Sequence, residues 1–152
     1  MTAADQSARD QAIDPTRSFC VSAPAGSGKT ELLTQRLLAL LTRVQRPEQV
    51  LAITFTRKAA SEMAQRVLEK LEQARIDTPV SAPHERVTRQ LAQGLLTHAA
   101  DLGWCLDEMS LNLRTIDSFC HELARQMPIL SGIGGAVEPV DDAQPLYEDA
   151  VR

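Results

Sequence analysis

The eight residues Ala23-Pro24-Ala25-Gly26-Ser27-Gly28-Lys29-Thr30 constrain this chain more than any others. They separate an apolar run, residues 18–23, from a stretch in which Leu33, Leu37, Leu40, Leu41 and Val44 recur at helical spacing. The run predicts a buried strand halted at Pro24, and the periodic stretch predicts a helix ended by Pro47. Glycines at 26 and 28 let the backbone take conformations closed to other residues, so that successive N–H groups turn inward on an anion. The start of the following helix adds its partial positive charge. A Gly-rich turn with a solvent-facing lysine is the alternative; agreement between motif and context favours an anion cradle, with Lys29 reaching phosphate oxygens and the Thr30 hydroxyl available to Mg²⁺.

The strand-then-helix order repeats along the chain. Residues 50–55 (VLAITF) predict a second buried strand, and a helix from about 58 to 75 carries Ala60, Met63, Val67 and Leu71 on one side. A linker with two prolines, 76–83, leads to a third helix over 85–100 with Val87, Leu91, Leu95 and His98 on one face. Residues 101–111 are irregular and hold Trp104, whose expected role is a packing anchor. A short strand at 113–116 precedes a helix at 118–126 that Pro128 ends. Residues 131–145, rich in Gly, Pro and acids, read as a loop, and 146–152 as the start of a helix. This order predicts an α/β fold with parallel strands.

In such sheets the C-terminal ends of strands carry the binding loops. The second strand runs into Phe55-Thr56-Arg57-Lys58, which offers an aromatic face, a hydroxyl and two cations. Taken alone, this is as easily a strand-to-helix turn with Phe55 in the core. Charge is informative only locally. The net charge of −4 excludes a bulk basic footprint, yet residues 29–75 hold nine bases against five acids, and residues 138–152 hold five acids and one base. Any nucleic-acid contact must therefore come from a local patch.

Other classes are disfavoured. Cys20, Cys105 and Cys120 form no metal-ligand spacing and read as free thiols of a reducing cytoplasm. His84, His98 and His121 are scattered and read as packed or solvated. The polar stretch 1–14 is no signal peptide, and no run reaches membrane-spanning length.

Three stretches carry a family resemblance. APAGSGKT, then ITFTRKAASEM, then Thr115-Ile116-Asp117-Ser118-Phe119-Cys120 resemble motifs I, Ia and Ib of superfamily 1 helicases of the UvrD/Rep/RecB type, in family order. The stretches PTRSFCVSAPAGSGKTELL and TIDSFCHELARQMP are most similar to the long AddA/RecB-like helicase–nuclease subunits. The resemblance implies a partial RecA-like P-loop NTPase lobe with an inserted helical segment: core over 1–75, helical insertion over 76–111, return to the core over 112–127, and an acidic loop with the start of a helix over 128–152. It implies Mg-ATP on residues 23–30, with Lys29 and Thr30 in catalysis, and DNA on Phe55, Thr56, Arg57, Lys58, Thr115, Ser118 and Phe119. It further implies ATP-driven 3′-to-5′ movement along one strand, single- and double-stranded DNA as partners in repair or recombination, and a partner chain in a helicase–nuclease complex. By spacing from Ala12 and Pro15, the family's adenine-reading glutamine falls on Arg9, flanked by Gln6 and Gln11. Asp117 stands where many members have histidine.

The acidic motif II has no good counterpart. Asp107-Glu108 and Asp141-Asp142-Ala143-Gln144 lack a preceding buried strand, Pro139 and two glycines arguing against the second. The chain is thus expected to stop before the catalytic set is complete and to turn ATP over poorly by itself. Its rival readings are a nucleotide- and DNA-binding module without turnover, and an unrelated P-loop NTPase or kinase, against which the two later motifs speak.

Overall fold

The computed structural model describes residues 5–76, 82–105 and 110–127 and the single positions 130 and 144. The loop and terminal helix expected over 131–145 and 146–152, most of the linker, and both acidic pairs weighed above as motif II lie outside the described residues, Gln144 excepted.

The chain divides into two units, the first running to Thr115. It contains helices α1 (Gln6–Ile13), α2 (Lys29–Leu41), α3 (Arg57–Arg75) and α4 (Pro83–Asp101), a 3-10 turn (Pro47–Gln49), and strands β1 (Leu51–Thr54) and β2 (Asn112–Thr115). The strands pair in parallel, Leu51 opposite Asn112 and Thr54 opposite Thr115. The intervening α3 and α4 make the crossover that parallel strands require. The second unit holds α5 (Ile116–Gln126), an amphipathic helix with no buried residue.

The core lies among α2, α3 and α4. Leu38, Leu41, Val67 and Leu95 are fully buried and Leu37 and Leu71 nearly so, each contributing about 1.5–3 kcal/mol on transfer from water. α3 follows its expected face, with Ala60, Val67, Leu71 and Ala74 inward. Its first turn is fixed by Thr56, whose hydroxyl accepts from the Ala59 N–H at 3.1 Å. α4 is rotated by one residue from expectation: Thr88, Ala92, Leu95 and Ala99 are buried, and Val87, Leu91 and His98 are partly so. Small side chains at 88, 92 and 99 let α4 approach its neighbours closely, and a polar bond between helices fixes the rotation. The side-chain amide of Gln35 reaches the Thr88 hydroxyl at 2.9 Å and the His84 carbonyl at 3.2 Å. Trp104 anchors the far end of α4 as expected, donating from Nε1 to the Gln45 carbonyl at 3.0 Å and meeting His98 edge-on at 5.5 Å.

Two expectations fail for one reason. Residues 18–23 form no strand: Val21 is 46% exposed, and the segment has no ladder partner among the described residues. β1 is not buried on both faces, since Leu51, Ile53 and Phe55 are exposed while Ala52 and Thr54 are partly covered. Apolar runs of this length are buried when neighbouring strands and a second layer cover them. Here the sheet has two strands, and an open cleft of about 520 Å³ lies along β1, bordered by Leu33, Leu40, Ile53 and Met63. Leu33, expected on the buried stripe of α2, faces this cleft at 51% exposure. The stripe is wider than periodicity suggests, because α2 is packed by α1, α3 and α4 together.

Candidate nucleotide and DNA sites

The loop at residues 23–30 is positioned by the start of α2. Gly26 and Gly28 have φ of 74° and 80°, the left-handed region that only glycine enters cheaply, and Gly28 is the residue from which α2 begins. A Cβ at Gly26 would meet nothing within 4 Å, so conformation rather than space selects glycine there. Ser27 Oγ is buried and lacks a hydrogen-bond partner. A buried hydroxyl left unpaired inside a Gly-rich loop at a helix start fits a phosphate oxygen as its missing partner. Lys29 folds back over the loop, donating from Nζ to the Ala23 carbonyl at 2.7 Å and to the Pro24 carbonyl. These bonds hold the ammonium beside the cradle. Thr30, in the first turn of α2, is exposed, its hydroxyl able to serve a cation carried by phosphate. Among the described residues no group of three or more His, Cys, Asp or Glu could hold a metal ion by itself.

α1, which periodicity did not reveal, lies beside this loop. Its Arg9 donates from Nη2 to the Ser27 carbonyl at 2.7 Å and to the Asp5 carboxylate at 2.8 Å. Arg9 and Gln11 line a cavity of about 300 Å³ that they share with Asp5, Ser27 and Lys29. Gln6 and Arg9 line a second hollow with Gly26, Gly28, Glu31 and His84. All three candidates for the base contact therefore stand near the phosphate loop, and Arg9 alone bonds to it. The Asp5 carboxyl is held below the ordinary carboxylate range, chiefly by the hydrogen bond from Arg9, and the Arg9 guanidinium is correspondingly raised.

Arg36, an unremarked polar position of α2 in the sequence, determines where α1 ends. It donates from Nη1 to the carbonyls of Ala12 and Asp14, at 2.8 and 2.9 Å, and from Nη2 to that of Arg17 at 2.8 Å. The Arg36 and Arg17 guanidinium groups both lie over the Phe19 ring, at 5.4 and 5.3 Å. A three-carbonyl contact between residues 19 to 24 apart carries no periodic signal, which is why sequence reasoning missed it.

At the C-terminal end of β1, Phe55 is 88% exposed, and Thr56, Arg57 and Lys58 are exposed beside it. Lys58 has a loose contact to Glu62 at 3.8 Å, with both side chains in solvent. The core reading of Phe55 is thereby removed. Thr115 ends β2 and is 8% exposed. In the second unit Ser118 is exposed and Phe119 partly so, both near the start of α5. Cys20, Cys105 and Cys120 are free and exposed.

The family model for the UvrD/REP helicase N-terminal domain matches residues 4–144. An ATP-dependent helicase/nuclease subunit of Desulfitobacterium hafniense is 35% identical over 140 residues, covering 90% of this chain and 9% of the relative. The protein of the same description from Lactobacillus gasseri is 34% identical over 148 residues, 95% of this chain and 11% of the relative. That of Bacillus licheniformis is 32% identical over 135 residues, 87% of this chain and 10% of the relative. The chain thus spans about a tenth of the length of the curated relatives it matches. No solved structure matches it. With its Gly-rich loop at a helix start, its exposed strand-end cluster and a family model matched over most of its length, the chain belongs to the UvrD/REP helicase family, in that family's N-terminal domain.

Proposed function

We propose that this chain forms the ATP-binding part of a DNA motor, a partial RecA-like lobe in which ATP hydrolysis drives movement along single-stranded DNA and unwinding, 3′ to 5′, in repair or recombination. The reading keeps the organisation read from the sequence: core over 1–75, helical insertion over 76–111, return over 112–127. The observation that carries it is Phe55. A large aromatic side chain left 88% exposed at a strand end, beside two exposed cations, costs solvation unless a partner covers it. Unstacked bases are suited to such a ring, and the DNA backbone to Arg57 and Lys58.

Residues 23–30 would hold the triphosphate, with Lys29 on its outer phosphates and the Thr30 hydroxyl toward Mg²⁺; the orphaned Ser27 hydroxyl supports the fit. When bound, Mg-ATP supplies the phosphoryl group whose hydrolysis drives the motor. Thr115, Ser118 and Phe119 extend the candidate DNA contacts. The matched relatives are described as subunits, which supports a partner chain in a helicase–nuclease complex. Among the described residues no helix is long and apolar enough to cross a membrane, and a cytoplasmic setting fits DNA as partner.

The test is anisotropy of a fluorescent oligo-dT with the chain, with and without the non-hydrolysable ATP analogue AMP-PNP, for wild type, Phe55→Ala and Lys29→Ala. Binding that weakens in Phe55→Ala, together with a nucleotide effect lost in Lys29→Ala, supports the reading. DNA binding indifferent to Phe55 would overturn it.

A further inference from the structure

α1 is eight residues long, polar, and buries only Ala12. A helix that short is marginal in water by itself, and its last carbonyls have no partner within it. The last turn of α1 holds no basic residue. Arg36 supplies one from α2. Its guanidinium meets the Ala12 carbonyl in that turn and the Asp14 and Arg17 carbonyls beyond it, placing a cation at the negative end of the helix. Near the other end, Arg9 fastens α1 to the Ser27 carbonyl at 2.7 Å.

Two of the groups that Arg36 holds are walls of the cavity beside the Gly-rich loop. Ala12 and Phe19 line it with Ala8 and Leu32, and Lys29 lines it from the loop side. The Arg36 guanidinium lies over the Phe19 ring at 5.4 Å. Arg36 itself lines no part of this cavity and borders the cleft along β1. It stands seven residues after Lys29 on the same helix, about two turns along. One helix therefore carries both the lysine on one side of the cavity and the clamp on the opposite wall.

We propose that Arg36 is a positioning residue for nucleotide binding, acting through Ala12 and Phe19 to keep the apolar wall of the cavity in register with Lys29. The proposal rests on the nucleotide reading of the loop. Without the clamp the wall is in place in only a fraction of molecules, and the apparent affinity of a ligand that needs the wall falls by that fraction. A phosphate chain held by the loop alone does not feel the loss.

The experiment is calorimetric titration of Mg-ATP and of Mg-tripolyphosphate into wild type, Arg36→Ala, Arg36→Lys and Val67→Ala. Wild type is expected to bind Mg-ATP more tightly than Mg-tripolyphosphate, the difference being what the wall contributes. Arg36→Ala should weaken Mg-ATP about 5- to 30-fold and leave Mg-tripolyphosphate within about twofold. Arg36→Lys should behave in the same way, since an ammonium cannot span the three carbonyls or lie flat on the ring, and it carries the test where Arg36→Ala does not fold. Val67→Ala weakens the core among α2, α3 and α4 but lines no part of the cavity, so the ratio of the two affinities should keep its wild-type value. A ratio that neither Arg36 variant moves, or that Val67→Ala moves equally, would overturn the assignment. If wild type binds Mg-ATP no more tightly than Mg-tripolyphosphate, the wall meets no part of the ligand; the assignment falls and the phosphate-loop reading stands. If wild type binds neither, the phosphate-loop reading falls with it.

Discussion

The side-chain amide of Gln35, on α2, donates to the hydroxyl of Thr88, on α4, at 2.9 Å, with both side chains buried. The same two helices are joined again where the Gln35 amide reaches the His84 carbonyl and the Thr88 hydroxyl meets the Glu31 carboxylate. Thr88→Val keeps the volume and removes the hydroxyl, leaving the Gln35 amide only its bond to the His84 carbonyl and taking a donor from the Glu31 carboxylate. A loss of about 1–3 kcal/mol is expected from urea unfolding. Gln35→Leu in the same background should restore part of it, since removing both partners avoids the unpaired group. An additive double variant would show that the contact is not what holds α4 in its rotation.

That rotation also marks where the sequence stopped being legible. Periodicity placed α2, α3, α4 and α5 and both paired strands, because each carries an apolar stripe or run. It placed α4's buried face one residue off, because Thr88, Ala92 and Ala99 do not register as hydrophobic anchors although close packing favours them. It missed α1, whose composition is polar and whose position depends on Arg36 reaching three distant carbonyls. It over-read residues 18–23 and 50–55 as fully buried, since an apolar run reports what a strand can bury against and not whether that layer is present. The turn before α2 was legible because the positive φ of Gly26 and Gly28 is demanded by backbone geometry, which motif spacing records directly.

Lys29→Ala should separate binding from folding. The Nζ bonds to the Ala23 and Pro24 carbonyls are local to the loop, one part-buried and one exposed, so stability should fall by no more than about 1 kcal/mol. Affinity for Mg-ATP should fall about 10- to 150-fold, the worth of hydrogen bonds to a charged group. Calorimetric titration and thermal unfolding of the same samples decide it. Unchanged affinity would mean that the lysine does not meet the phosphates.

Phe55 and Thr56 are adjacent and should fail in opposite ways. Phe55→Ala removes an exposed ring, and should cost single-stranded DNA binding about 1–3 kcal/mol while leaving stability nearly unchanged. Thr56→Ala removes the cap of α3 and should cost about 0.5–2 kcal/mol of stability. Oligo-dT anisotropy and urea titration of both variants provide the comparison. A Phe55→Ala protein that unfolds early would return the ring to a structural role.

Arg36→Ala should loosen α1 without dissolving the core. The guanidinium satisfies carbonyls of Ala12, Asp14 and Arg17 and covers Phe19, whereas Leu37, Leu38 and Leu41 of α2 pack in the core with α3 and α4. Amide hydrogen exchange in residues 6–13 should quicken at least tenfold, with Leu38 and Leu41 protected as before. Arg36→Lys should recover little, because an ammonium is a point donor and cannot span three carbonyls or lie flat on a ring. Exchange in α1 that matches wild type would show that Arg36 is not what holds α1, leaving the Arg9–Ser27 bond and apolar contact to do so.

Acid should release α1 at its two carboxylates. Asp5 is held below the ordinary carboxylate pKa chiefly by the hydrogen bond from Arg9, and Asp14 chiefly by that from the Thr16 hydroxyl, at 2.7 Å. For an acid whose folded pKa is depressed, the stabilisation is complete above the unfolded value, ~3.9, and is lost as pH falls through the folded value. Neutral pH should therefore leave the Arg9–Asp5 pair and the Asp14 turn intact, and both should open only below about pH 4. Carboxyl ¹³C shifts followed by NMR should titrate Asp5 and Asp14 below the ordinary aspartate value of ~3.9, and Arg9→Gln should move Asp5 upward while leaving Asp14 in place. An Asp5 that titrates at the ordinary aspartate value in wild type would mean the ion pair is not populated in solution, and the bracing of Arg9 against Ser27 would then have to stand without it.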